Sequence, residues 1–82
     1  MKGLSPDAAS VTALDDFILR VRFVNGELRD FDMKPLLARK CYSALSSEAL
    51  FKTARVEYGV VSWANGVDLD PEWLYEDSAP VR

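Results

Sequence analysis

Apolar and polar residues alternate most regularly along residues 17–24, which form the clearest predicted strand of the chain. Such a period of two is typical of a strand with one buried face and one exposed face. One face carries Phe17, Leu19, Val21 and Phe23, and the other carries Ile18, Arg20, Arg22 and Val24.

The dipeptide Asn25-Gly26 follows this strand directly. Asn-Gly favours the left-handed dihedral angles of a two-residue type I′ turn, so it predicts a tight β-hairpin. The returning strand is expected to end or bulge near Asp30, where the alternation breaks. The predicted pairs are Phe23 with Leu28, Arg22 with Arg29, and Val21 with Asp30.

A short strand over residues 10–14, set off by the turn pair Asp15-Asp16, completes a three-stranded meander with this hairpin. The next segment predicts the main helix, about Met33–Leu45, with Asp32 as its N-cap and Pro35 in its first turn. Leu37, Cys41, Ala44 and Leu45 share one predicted helical stripe, whereas Lys34, Arg39 and Lys40 lie away from it.

The second half of the chain predicts another hairpin and two short helical segments. Ser46 or Ser47 caps the first segment, and residues 55–58 and 60–63 form strands around Gly59. Asn65-Gly66 marks a turn, and Asp70-Pro71-Glu72 begins a short C-terminal helix. The expected fold is α+β, with an antiparallel sheet packed on the helices. We expect a flexible leader at 1–9, one domain at 10–77 and a frayed tail at 78–82.

The composition fits a single small binding domain. The chain has 82 residues and a net charge of −3, with no apolar run near the 18 or so residues that span a bilayer. Its single cysteine allows no internal disulfide, so the cytoplasm is the expected compartment. Five acids lie between residues 65 and 82, namely Asp68, Asp70, Glu72, Glu76 and Asp77.

Catalytic chemistry finds little support in the sequence. The chain has no histidine to activate a nucleophile, and Cys41 is expected to be a buried structural thiol. Asp68, Asp70 and Asn65 could offer oxygen ligands, but their number and order fall short of a calcium loop. We therefore expect a non-enzymatic protein with no cofactor and no metal.

Two candidate binding surfaces follow from the pattern. If the predicted register holds, Arg20, Arg22 and Arg29 share one sheet face. This face is either solvated or a small basic patch for nucleic acid or an acidic protein, and a buried role for one of the arginines is the third alternative. The acidic C-terminal segment also carries aromatic side chains, which serve either as core anchors or as a partner surface. This second candidate surface comprises Asp68, Asp70, Glu72, Trp73, Tyr75, Glu76 and Asp77.

The arrangement of these motifs resembles the DUF2442 family of small bacterial and phage-associated proteins, over roughly residues 10–77. The resemblance implies a small α+β fold without an established activity. Some members look like one half of a toxin–antitoxin-type gene pair. In the family a proline usually follows the tryptophan matched by Trp63, whereas Ala64 stands here. The matching segments are 14–17, 21–32, 35–37, 50–51 and 63–76.

Three functional hypotheses remain open. The first is a regulatory module that inhibits or neutralises a partner protein, in the manner of an antitoxin. The second is a phage-type anti-CRISPR inhibitor, whose acidic surface blocks a nucleic-acid-binding groove. The third is weak, salt-sensitive binding of nucleic acid through the three arginines. In each case we expect no membrane association, and a monomer or a small homo-oligomer.

Overall fold

A computed structural model describes residues 6–81 of the chain. Residues 1–5 of the expected leader and Arg82 of the expected tail lie outside the described residues. The fold is α+β, with two antiparallel sheets and short helices, as the sequence predicts. The strands are β1 (Ala8–Ala13), β2 (Ile18–Phe23), β3 (Leu28–Asp32), β4 (Arg55–Glu57), β5 (Val60–Ser62), β6 (Asp68–Leu69) and β7 (Ala79–Pro80), and the α-helices are α1 (Glu48–Phe51) and α2 (Pro71–Asp77).

The first sheet has the strand order β1-β2-β3-β7. The predicted meander is therefore confirmed, but it is longer at one end and has an extra strand at the other. Ala8 and Ala9, expected in the leader, already belong to β1, and Ala8 is buried. Ala79 and Pro80, expected in a frayed tail, pair as β7 with Asp30 and Arg29.

The predicted register of the first hairpin is wrong by one residue. Arg22 pairs with Leu28, Val21 with Arg29, and Arg20 with Asp30. Asn25 has a negative φ and only Gly26 a positive one, so the loop has three residues and a glycine bulge rather than a type I′ turn. The Asn25 side chain stabilises this loop because its Oδ1 accepts the N–H of Glu27 at 3.0 Å.

The second sheet has the strand order β4-β5-β6. Tyr58 and Gly59 connect β4 to β5 with φ angles of 53° and 79°, the signs that a type I′ turn requires. Asn65 and Gly66 form a loop of the same kind as Asn25 and Gly26, in which Asn65 Oδ1 accepts the N–H of Val67. The two predicted hairpins are confirmed, and β6 is an additional strand.

The predicted main helix is not an α-helix. Residues 33–45 instead form two 3₁₀ segments, Lys34–Leu36 and Lys40–Ser46. A 3₁₀ helix has three residues per turn, so its buried positions recur at every third residue rather than at every third and fourth. The buried side chains Met33, Leu36, Tyr42 and Leu45 follow this spacing, and Cys41, predicted to be buried, is exposed.

The two α-helices begin where the sequence places them. Ser47 is the N-cap of α1, and Asp70 is the N-cap of α2, with Asp70 Oδ1 accepting the N–H of Glu72 at 2.9 Å. The core lies between the sheets and the helices, and Trp63 is fully buried in it. Within residues 6–81, no helix has the length and apolar character needed to cross a membrane.

Candidate functional site

The three arginines of the predicted basic face do not share a face. The corrected register pairs Arg29 with Val21, and the side chain of Val21 points into the core. Arg29 therefore lies on the inner side of the sheet, whereas Arg20 and Arg22 lie on the outer side, because successive strand residues alternate. The predicted cluster of three guanidinium groups does not form.

Arg20 is also engaged by a carboxylate. Its Nε and Nη2 donate to the two Asp30 carboxylate oxygens at 2.8 and 2.9 Å, which is a bidentate ion pair between β2 and β3. This hydrogen bonding, with a smaller contribution from opposite charge, holds the pKa of Asp30 below its usual value. Arg22 is exposed and has no carboxylate partner among residues 6–81. Of the three arginines, only Arg22 thus faces solvent without a carboxylate partner in the described part of the chain.

The inner arginine, Arg29, belongs to a polar network that ties α2 and β7 to the first hairpin. Arg29 Nη1 donates to Glu27 at 2.7 Å, and its Nε and Nη2 donate to the Ser78 hydroxyl and carbonyl oxygens. The Tyr75 hydroxyl donates to the other Glu27 carboxylate oxygen at 2.5 Å, and the Arg29 guanidinium lies 4.5 Å from the centre of the Tyr75 ring.

This network perturbs the ionisation of both acidic partners. Hydrogen bonds from Tyr75, Arg29 and Asn25 stabilise the ionised carboxylate, so the pKa of Glu27 is lowered. The same bond to Glu27 raises the pKa of the Tyr75 hydroxyl, because the donated proton is held by the carboxylate. Tyr75, predicted on a partner surface, therefore acts as a structural contact that orients α2.

Helix α2 places two further side chains, Trp73 and Asp77, beside the end of β3. Leu74 is fully buried and fastens the helix to the core, while Trp73, one residue before it, is only half-buried. The Trp73 indole N–H donates to the carboxylate of Asp77, four residues later on the same helix. Trp73 and Asp77 thus occupy one side of α2 as a fixed pair.

This side of α2 closes a surface pocket of about 340 Å³. The opposite wall comes from the end of β3 and from the first 3₁₀ segment, where Phe31 and Leu36 are buried and Pro35 is exposed. We call this site the Trp73 pocket. Its lining residues are Phe31, Asp32, Pro35, Leu36, Arg39, Trp73 and Asp77.

Three charged groups lie at the rim of the Trp73 pocket, namely the carboxylates of Asp32 and Asp77 and the guanidinium of Arg39. Asp32 accepts from the backbone N–H of Lys34 at 2.9 Å and lies 3.1 Å from the Lys34 ammonium. Arg39 places its guanidinium carbon 5.3 Å from the centre of the Trp73 ring, which is cation–π distance. An apolar floor with charges at its edge can accept one amino-acid side chain or a small amphipathic molecule.

Of the predicted acidic and aromatic surface, only Trp73 and Asp77 line this pocket. The remaining acids lie elsewhere: Asp68, Asp70 and Glu76 are exposed, and Glu72 is half-buried. Among residues 6–81, no three acidic or thiol side chains come together as metal ligands.

Sequence reasoning missed five lining residues of the Trp73 pocket, all from one stretch of chain. They are Phe31, Asp32, Pro35, Leu36 and Arg39. For two of them, Leu36 and Arg39, the signal that could have found them is their spacing of three from Met33, which the backbone hydrogen bonds follow.

Comparison with known proteins identifies the family of the chain. A family model described as a protein of unknown function, DUF2442, matches residues 8–80. The chain belongs to the DUF2442 family. No curated protein and no solved structure matches it. The DUF2442 match covers both sheets and both α-helices, so all the elements that build the Trp73 pocket lie within the family domain.

Proposed function

We propose that this chain is a non-enzymatic binding module that inhibits or neutralises a partner protein, and that the partner docks on the Trp73 pocket. The observation that carries the proposal is the pocket itself. Aromatic anchors in a pocket with an apolar floor and a charged rim are the usual centre of a protein interface.

The walls of the pocket support this proposal because they are held in place before any partner arrives. One wall is fixed by the buried side chains Phe31 and Leu36, and the other by Leu74 in the core and by the Tyr75–Glu27 hydrogen bond. A preorganised site loses little conformational entropy on binding, so more of its contact energy appears as affinity.

The expected consequence of binding, inhibition, rests on the family resemblance. Some DUF2442 members look like one half of a toxin–antitoxin-type gene pair, which is the context of a protein that neutralises its neighbour. The non-enzymatic part of the proposal is supported by chemistry. The chain has no histidine, and its exposed thiol, Cys41, is not among the residues that line the pocket.

The exposed carboxylates favour one alternative, the phage-type anti-CRISPR inhibitor with an acidic surface. Asp68, Asp70, Glu76 and Asp77 all face solvent, as a surface that substitutes for nucleic-acid phosphates requires. Direct nucleic-acid binding has less support, since the three arginines lie on two sides of the sheet and two of them are paired with carboxylates.

Affinity capture with three baits tests the proposal. The baits are the wild-type chain, Asp77→Lys and Glu76→Lys, presented to a lysate of the native host and compared by quantitative mass spectrometry. Both substitutions reverse one exposed acid at the end of α2, but only Asp77 lines the pocket. Glu76→Lys is therefore the matched control, and circular dichroism verifies that all three baits are folded.

We expect one specific protein to be captured by the wild type and by Glu76→Lys, and to be depleted about tenfold or more with Asp77→Lys, as for loss of a central contact. The purified partner should lose activity on addition of wild-type chain and keep it on addition of Asp77→Lys. Equal capture by all baits would reject the pocket as the docking site. An active partner in the complex would reject inhibition, and capture of a nucleic-acid-guided complex would favour the alternative.

A further inference from the structure

The charges around the Trp73 pocket are unequal. Two carboxylates, those of Asp32 and Asp77, line the pocket against one guanidinium, that of Arg39. Asp32 Oδ1 accepts the backbone N–H of Lys34 and lies 3.1 Å from the Lys34 ammonium, which Asp16 shares at the same distance, and one Asp77 oxygen accepts the Trp73 indole N–H. With the shared Lys34 counted, three carboxylates still stand against two cations. A carboxylate has about four lone-pair sites, so Asp32 and Asp77 can both still accept hydrogen bonds from a guest. The guest that balances this lining is a cation.

The pocket already holds one cation against its aromatic wall. The guanidinium of Arg39 lies over the Trp73 ring at 5.3 Å, and Arg39 is exposed and forms no ion pair among residues 6–81. A cation–π contact in water is weak, and no carboxylate of the described residues holds Arg39 in place. The Trp73 ring therefore already contacts a guanidinium, and that contact is weak.

We infer that the Trp73 pocket recognises an arginine side chain of the partner protein. The incoming guanidinium takes the place of Arg39 over the Trp73 ring and donates to the free carboxylate oxygens of Asp32 and Asp77. Its methylene groups pack on Pro35 and Leu36. Arginine suits this lining better than lysine, because a planar guanidinium stacks on an aromatic ring and offers several donors at once.

This inference rests on the proposed function, since it assigns the chemistry of the partner's anchor. It also predicts opposite effects of an Arg39 substitution for a cationic and for an anionic guest. If the guest is a cation, Arg39 competes with it and repels it. If the guest is an anion, Arg39 is its ligand. The substitution Arg39→Gln must therefore strengthen binding in the first case and abolish it in the second.

The experiment follows the two indole N–H signals of the protein by proton–nitrogen correlation NMR. Trp73 donates to Asp77 at the pocket, whereas Trp63 donates to the carbonyl oxygen of Phe51 in the core, so Trp63 is an internal control. The probes are the N-acetyl amides of arginine, citrulline and glutamate. Citrulline has nearly the shape of arginine without its charge.

The arginine probe should shift the Trp73 signal to saturation and leave Trp63 unmoved, with citrulline at least about tenfold weaker because charge-assisted hydrogen bonds are lost. Asp77→Asn should weaken the arginine probe by a similar factor, and its matched control Glu76→Gln should not. Arg39→Gln should tighten it. Equal binding of citrulline, stronger binding of glutamate, or loss of binding in Arg39→Gln would overturn the inference.

The two proposals fail in different ways. If the arginine probe leaves Trp73 unmoved while Asp77→Lys still loses the captured partner, the pocket is the docking site but its anchor is not arginine. If the probe binds as expected while all baits capture the partner equally, the pocket recognises a guanidinium but the partner docks elsewhere.

Discussion

Replacement of Tyr58 by asparagine should stabilise the protein, although it removes an aromatic side chain. Tyr58 is the first residue of the β4–β5 turn, with φ = 53°, and the next residue, Gly59, also has a positive φ. A bulky L-residue is disfavoured in this left-handed region because its Cβ approaches the following carbonyl oxygen. Asn-Gly is the preferred dipeptide of such a turn.

The size of the stability gain can be worked out because the Tyr58 ring makes no buried contact that the substitution would remove. The relative exposure of Tyr58 is 102%, so its ring buries nothing that the substitution would lose. The left-handed conformation costs an ordinary residue about 1–2 kcal/mol, and asparagine tolerates it better. We therefore expect a gain of roughly 0.5–1.5 kcal/mol, which corresponds to about 4–8 °C in melting temperature for each kcal/mol in a domain of this size.

Urea denaturation followed by tryptophan fluorescence measures this gain, since Trp63 is buried and reports on the core. Tyr58→Ala is the control, because it removes the ring but leaves a residue for which a positive φ is unfavourable. We expect it to stay within about 0.5 kcal/mol of the wild type. Lower or unchanged stability of Tyr58→Asn would refute the strain argument. Equal stabilisation by alanine would show that the ring, and not the backbone angle, is responsible.

Two further predictions concern the core and the outer sheet face. Leu74→Ala should cost about 2–5 kcal/mol in the free energy of unfolding, because Leu74 is fully buried and fastens α2 to the core. Denaturant titration beside the exposed-site control Val24→Ala measures it, and a loss below about 1 kcal/mol would show that α2 is loosely packed. Arg20 lowers the pKa of Asp30 in the folded protein. The Arg20–Asp30 pair should therefore contribute its full stabilisation above the pKa of Asp30 in the unfolded chain, about 4, and lose it as the pH falls through the pKa of Asp30 in the folded protein. Arg20→Gln should raise the pKa of Asp30 in an NMR titration, and an unchanged value would contradict the assigned cause.

The parts of the fold that sequence reasoning predicts well depend on local chemistry. Asp70 caps α2 and Ser47 caps α1 because a side-chain oxygen can reach the free N–H groups of a first helical turn. The burial of Leu19, Val21 and Phe23 agrees with the alternation of apolar and polar residues in β2. Neither signal requires knowledge of a distant part of the chain.

The register of the first hairpin is not fixed by local chemistry in the same way. Asn-Gly is compatible both with a two-residue type I′ turn and with a three-residue loop that ends in a left-handed glycine. At Asn25 the second solution is the one found, with Gly26 alone at positive φ. This difference of one residue moves Arg29 from the outer face to the inner face, where it meets Tyr75 and Ser78.

The candidate site depends on one further departure from the pattern, the replacement of an α-helix by 3₁₀ segments. With 3.6 residues per turn, Arg39 lies away from the apolar stripe that contains Cys41. Backbone hydrogen bonds three residues apart link Met33 to Leu36, Leu36 to Arg39 and Arg39 to Tyr42, and Arg39 itself is extended between the two 3₁₀ segments. The same geometry exposes Cys41 and brings Arg39 over Trp73, a residue 34 positions later in the chain. The position of Arg39 at the Trp73 pocket therefore depends on the break between the two 3₁₀ segments, and a continuous α-helix over residues 33–45 would turn Arg39 away from the buried side chains.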